Sequence, residues 1–226
     1  MTSREAQNLL NIIENATKHF PDPLGDVVAR EYHKDPFLLL ISCLLSLRAK
    51  DTKTITVVHK LFEYAQTAEQ FCNLPLKDLE NIIYSIGFYR QKARTIKAVS
   101  CDLMAQFNGQ VPRTKNELLS INGIGQKTAN LVLSMAFDIP TVCVDVHVHR
   151  LANLLGMTST KTPEETERAL EQLLPRSYWT KVNHILVKLG QNIKKVTPQL
   201  PDSIQKKLTP LVAKRAFPAR KTSSAT

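Results

Sequence analysis

Apolar residues recur at helical spacing along nearly the whole chain. Leu9, Leu10, Ile12 and Ile13 mark an amphipathic first segment, and PFLLLISCLLSLRAK from Pro36 is apolar almost all round, the pattern of a buried central helix. Pro36 suits the first turn of that helix. Further helices are expected at 51–65, 67–73, 76–85, 90–107, 115–121, 126–137, 145–155, 163–174, 178–190 and 202–213, separated by Gly, Pro and Asn-Gly punctuation. One stretch disagrees: TVCVDVHVHRL alternates Val142, Val144, Val146 and Val148, which by period alone argues for a strand. No other stretch offers a partner strand, so we read Asp145 as the N-cap of a helix running through Leu155. The predicted fold class is all-α, without an internal repeat.

The segment ELLSINGIGQKTANLVLSMAF, residues 117–137, carries the first chemistry. A short helix, a turn with Gly123 and Gly125, and an amphipathic helix follow one another. Both glycines are expected to serve a tight turn of positive φ and to leave amide N–H groups uncovered at the start of the second helix. Those amides and the helix dipole favour a phosphate oxygen, a contact blind to base sequence. An ordinary interhelical turn would account for Gly-x-Gly alone; Leu119, Ile121, Ile124 and Thr128-Ala129 around it make the pattern more specific.

Lys127 falls in the first turn of the second helix. The dipole disfavours a cation there by at most roughly 2 kcal/mol, about 1.5 pKa units, so a lowered amine pKa is expected once burial in a closed complex adds to it. A desolvated amine is a competent carbon nucleophile; the plainer reading is a lysine on a phosphate. Asp145, eighteen residues on, stands in apolar surroundings where an unpaired carboxylate is costly. Besides capping a helix, it suits stabilising positive charge on a sugar or taking a proton from an attacking amine.

Composition narrows the partner. The 226 residues carry a net charge of +10, and residues 194–226 hold eight basic side chains against the single acid Asp202. Such an excess is rewarded by a polyanion through counterion release, although a solvated, disordered basic end explains the tail equally. Cys43, Cys72, Cys101 and Cys143 form no close pair, which indicates neither a compact zinc site nor a disulfide framework; reduced cysteines used as small apolar residues are expected. The N-terminus shows no signal pattern and no apolar run approaches the length of a membrane span, so a cytoplasmic protein, nucleoid-associated if bacterial, is expected.

INGIGQKTAN followed by VDVHVHR resembles the helix-hairpin-helix DNA glycosylases of the endonuclease III type, and the likeness extends from about Pro36, through LLSLRAKD and SIGFYRQKARTI, to Lys188-Leu189-Gly190. The resemblance implies two helical domains flanking a DNA-binding cleft: a helical barrel over 31–138, a second domain from 1–30 plus 139–212, and a basic tail over 213–226. It implies a monomer acting on double-stranded DNA with damaged bases or abasic sites, the target nucleotide flipped out of the stack. Lys127 matches the lysine that attacks the sugar and forms a Schiff base before β-elimination, and Asp145 the essential aspartate. Gly123 and Gly125 match the phosphate-binding hairpin. Phe88 falls where the family places an apolar wedge, though an aromatic there equally suits a core; His147 and Arg150 lie in the segment after the aspartate as DNA or structural contacts.

Three departures bear on the expectation. The family's iron–sulfur cluster needs four cysteines near the C-terminus, and none follows Cys143 in this sequence, so no cofactor and no metal are expected. Arg48 replaces the usual glutamine opposite the lesion, which puts the opposite-base preference in doubt. Val146 stands where a small hydroxyl residue is common, and VDVH also resembles the 8-oxoguanine branch; oxidised pyrimidines are the preferred expectation. A monofunctional glycosylase and a non-catalytic helix-hairpin-helix DNA-binding protein stay open as alternatives, and Lys127 argues against both.

Overall fold

The computed structural model describes residues 1–49 and 51–213. Among them every regular element is a helix. Helix α1 (Ser3–Thr17) opens on a capping box in which Thr2 and Glu5 satisfy each other's backbone amides, and it buries Ala6, Leu9, Leu10 and Ile13 at helical spacing. Helix α2 (Leu24–Glu31) follows, with Leu24 and Val28 inward. In α3 (Pro36–Ser46) the Asp35 carboxylate accepts from Leu38 N at 2.8 Å, Pro36 occupies the first turn, and every residue from Phe37 to Leu45 is buried. This is the central helix its apolar girth predicted.

Around α3 pack α4 (Asp51–Tyr64), α5 (Ala68–Asn73), α6 (Leu76–Ile83), α7 (Tyr89–Phe107), α8 (Lys115–Ser120) and α9 (Gln126–Phe137). Their buried side chains and those of α2 form one continuous apolar cluster, from Leu24 to Leu133. A second cluster joins α1 to Val142, Val144 and the helices α10 (Val146–Leu155), α11 (Pro163–Leu173), α12 (Arg176–Val196) and α13 (Asp202–Ala213). Helix α2 therefore packs with the first core, not with its sequence neighbour α1. The alternating valines form no strand: residues 141–145 are extended without a ladder, and α10 begins at Val146.

The two cores are tied by polar contacts. Asp22 accepts from Lys188 at 2.9 Å and from Arg30 at 2.8 Å, and both hold its carboxyl below the usual carboxylate range, Lys188 the more strongly. Asp51 Oδ2 accepts from Leu24 N at 3.0 Å and from Gln191 of α12 at 2.8 Å.

The expectation that all four cysteines are reduced is corrected for two of them. Cys72 of α5 and Cys101 of α7 form a disulfide, with Cα atoms 4.9 Å apart. A separation of 29 residues hid the pair, because only the packing of α5 against α7 brings them together. The charged tail lies mostly in residues 214–226, outside the described residues.

Candidate active site

The hairpin is built from below. Leu118, Ile121 and Ile124 are buried against the first core and pin the turn between α8 and α9. Gly123 has φ +99, and a Cβ added there would stand 2.7 Å from Thr95 Cγ2 of α7, so both conformation and space require glycine. Gly125 differs from the sequence expectation of positive φ. It is extended (φ −97, ψ 173), and an added Cβ would meet nothing within 4 Å. Its missing side chain serves access: as N-cap of α9 it offers no side-chain cap and leaves the approach to the first-turn amides clear.

Lys127 is the second residue of α9, half-buried, with Nζ 3.9 Å from Cys43 Sγ of α3. The two free cysteines flank it. Cys43 donates to Thr128 Oγ1 at 3.6 Å, and Cys143 donates to the Lys127 carbonyl at 3.5 Å. The expected lowering of the amine is not what this environment produces. Cys43 above all, with Asp145 and Asp51 in support, holds the Lys127 ammonium well above the ordinary lysine range against the opposing effect of burial. Sequence reasoning weighed the helix dipole and burial but had no means of placing Cys43 beside the amine. Burial in turn pushes the Cys143 thiol far up, which keeps it protonated and inert.

Asp145 reaches the same place by another route. The extended segment before it is clamped on both sides: Asn130 of α9 donates to Val142 O at 3.0 Å, Thr141 donates to Asn130 O at 2.7 Å, and Asn183 of α12 donates to Cys143 O at 3.1 Å. At its end the Asp145 carboxylate caps α10, with Oδ1 accepting from His147 N and Val148 N at 2.9 Å each. The cap was legible in the sequence. The clamp was not, although an asparagine on the buried face of α9 was a usable sign.

Behind the hairpin, the nearly buried Glu167 of α11 accepts from Lys115 of α8 at 2.8 Å and from Gln126, the first residue of α9, at 3.0 Å. It fastens the N-terminal end of α9 to the second core. His147 packs against α12, where a Cβ on Gly190 would come within 2.3 Å of its Nδ1. Arg150 lies five residues beyond Asp145, near the middle of α10, and is half-buried.

Arg48 and Phe88 lie at the tips of the first core. Arg48 (φ +56) follows the end of α3 and Phe88 (φ +61) is the N-cap of α7. Both are exposed, Phe88 to 64%, which removes the reading of Phe88 as a core residue. One residue that the sequence did not single out connects them. Lys92 is buried with Nζ donating to Leu45 O at 2.7 Å, and burial pushes its ammonium down to about 8.

The cysteines do not fit a four-thiolate cluster. Two are bonded to each other and two are buried around Lys127, and among the described residues no group of three or more His, Cys, Asp or Glu side chains could hold a metal ion.

Comparison with known proteins agrees with this geometry. The model of the HhH-GPD superfamily base excision DNA repair proteins matches residues 41–176. Endonuclease III of Thermotoga maritima is 44% identical over 167 residues, 74% of this chain and 78% of that protein. A non-covalent endonuclease III–DNA complex superposes with a TM-score of 0.79 at 31% identity, and a trapped endonuclease III–DNA covalent intermediate with 0.78 at 30%; each covers 92% of this chain and 99% of the other. With the family model covering more than half of its length, the chain belongs to the HhH-GPD superfamily of base excision DNA repair proteins.

Proposed function

We propose that Lys127 and Asp145 are the catalytic pair of this repair enzyme, a DNA glycosylase with associated abasic-site lyase activity acting on damaged double-stranded DNA. The observation that carries the reading is the convergence of two segments on one point. The first turn of α9 brings the amine and the capped start of α10 brings the carboxylate, close enough for Asp145 to raise the affinity of Lys127 for its proton.

The geometry supports a definite division of labour. The amides at Gly125 hold a backbone phosphate, and Gly123 keeps the turn tight against α7. The damaged nucleotide leaves the stack, Phe88 fills the gap and Arg48 faces the orphaned base. Lys127 Nζ must lose a proton before it can attack the sugar C1′, and Asp145 is the adjacent base to receive it. Attack displaces the base; opening of the sugar gives a Schiff base, and loss of a C2′ proton then expels the 3′ phosphate. The Asp145 carboxylate also offsets positive charge on the sugar as the base departs. His147, seated against Gly190, and Arg150 contact the strand beside α10.

Oxidised pyrimidines are the substrates in this reading. It carries with it a barrel domain and a second domain, expected over 31–138 and over 1–30 plus 139–212, with α2 (Leu24–Glu31) packed on the barrel side of that boundary. The protein works as a monomer in the cytoplasm, at the nucleoid in a bacterium; no helix among the described residues is long and apolar enough to cross a membrane. It holds no iron–sulfur cluster, and the basic tail takes over the cluster's part in holding DNA. An iron-dependent visible absorption band in the purified protein would overturn the last point.

Borohydride trapping on a duplex with one abasic site tests the chemistry. The wild type is expected to give a covalent adduct and Lys127→Ala none. An adduct that survives in Lys127→Ala, or its absence from active wild-type protein, overturns the assignment.

A further inference from the structure

Helix α7 meets three parts of the candidate site in succession. Phe88 is its N-cap, Lys92 lies one turn further on, and Thr95 is the residue against which Gly123 of the hairpin is packed. Lys92 is only 8% exposed, and no ion pair among the described residues includes it. A buried ammonium without a counterion is costly, and a methionine or leucine would fill the same volume without that cost. Among the described residues the ammonium bonds to the carbonyl of Leu45, in the last turn of α3, where the helix dipole favours a cation.

Three residues beyond Leu45 stands Arg48, and four residues before Lys92 stands Phe88. The bond therefore joins the root of one exposed side chain to the root of the other. Both Arg48 and Phe88 are held in the left-handed region, where a residue with a side chain persists only if its surroundings enforce it. Two side chains entering a single gap in a duplex must arrive at a fixed spacing, and α3 and α7 would otherwise be free to adjust by sliding on an apolar contact.

We infer that Lys92 is a positioning residue: it locks the end of α3 to the start of α7, so that Arg48 and Phe88 enter the duplex as one unit when the damaged nucleotide leaves the stack. The inference rests on the gap-filling roles proposed for those two residues. It bears on extrusion of a stacked nucleotide more than on cleavage at an abasic site, which has no base left to unstack.

The test uses the full chain and a duplex carrying an oxidised pyrimidine, with the fluorescent base 2-aminopurine beside the lesion as the reporter of insertion. Lys92→Met, which keeps length and apolar volume but lacks the donor, is expected to weaken the insertion signal. It should also lower kcat for base excision by about tenfold or more, in keeping with the cost of an ångström-scale misplacement, while KM and cleavage of a preformed abasic site change by about threefold at most. Lys92→Arg, which restores a charged donor, should recover part of both. If Lys92→Met does not fold, Lys92→Gln, with a shorter neutral donor, carries the same expectation. Equal losses on both substrates, or an unchanged insertion signal, overturn the inference. Arg48→Ala and Phe88→Ala separate this failure from that of the underlying reading: if neither reduces the signal, the gap-filling roles fall and the inference with them. If both reduce it and the Lys92 variants do not, the inference alone falls.

Discussion

The first core holds two amines, Lys92 buried and Lys127 half-buried, that face opposite ways in their chemistry. Lys127 sits among Cys43, Cys143, Asp145 and Asp51 and keeps its proton more tightly than a free lysine; Lys92 sits beneath a single carbonyl and gives its proton up near 8. Burial acts in the same direction on both, so the difference comes from neighbours: Cys43 is the leading one at Lys127, while burial alone acts on Lys92 among the described residues. The amine that deprotonates more readily is therefore not the one placed to react. What singles Lys127 out for the proposed role is its place in the first turn of α9 after the Gly123–Gly125 turn, with Asp145 near enough to act on its proton.

The largest effect that could break this contrast lies in removing Lys127. Lys92 remains in Lys127→Ala, so if ease of deprotonation chose the nucleophile, trapped adduct would persist and map to the peptide containing Lys92. The expected outcome is a loss of strand cleavage by at least about a thousandfold, with no adduct at Lys92, read by peptide mapping after borohydride reduction. Asp145 comes next. Asparagine caps a helix about as well as aspartate, so Asp145→Asn should retain the α10 cap and the unfolding midpoint while slowing the reaction by about a hundredfold or more. Asp145→Ala should add a stability loss of about 1 kcal/mol, measured by denaturant unfolding.

A smaller effect concerns the proton itself. Cys43 is the leading cause of the raised Lys127 pKa, so Cys43→Ala should lower that pKa. Activity that requires the neutral amine rises with pH through the pKa of the amine. At a fixed pH below that pKa, cleavage at an abasic site should therefore be faster in Cys43→Ala than in the wild type, and an unchanged rate would count against a part for Cys43. The smallest effect on the fold is expected at Gly125, where a methyl group meets open space. Gly125→Ala should unfold like the wild type and lose only DNA affinity, whereas Gly123→Ala, at φ +99 and against Thr95, should lose stability as well.

What could be read beforehand follows the same division. The hairpin, Lys127 and the Asp145 cap were legible because each is a local pattern: glycines in a turn, a side chain in a helix's first turn, an aspartate before a helix. The all-α class was legible from period alone, down to the burial of α3. The Cys72–Cys101 bond, the Asn130 and Asn183 clamp and the contact of Lys92 with Leu45 were not, because each joins residues that only tertiary packing brings together. The alternating valines, discounted as a strand for want of a partner, owe their extended form to clamping by asparagines from both cores, which no local pattern announces. Helix α2 lacks a side-chain cap and is only eight residues long, too faint a pattern to stand out beside α1.

Glu167 has a consequence of another kind. Its carboxylate belongs to α11, yet its partners begin the two helices of the hairpin, so the reactive end of α9 is moored to the second core while its body is embedded in the first. Any displacement of one core relative to the other is therefore transmitted to Gln126, the residue that precedes Lys127 in the first turn of α9. If Lys127 is the nucleophile, as proposed, a change at Glu167 reaches its alignment through the protein alone, without passing through a DNA contact.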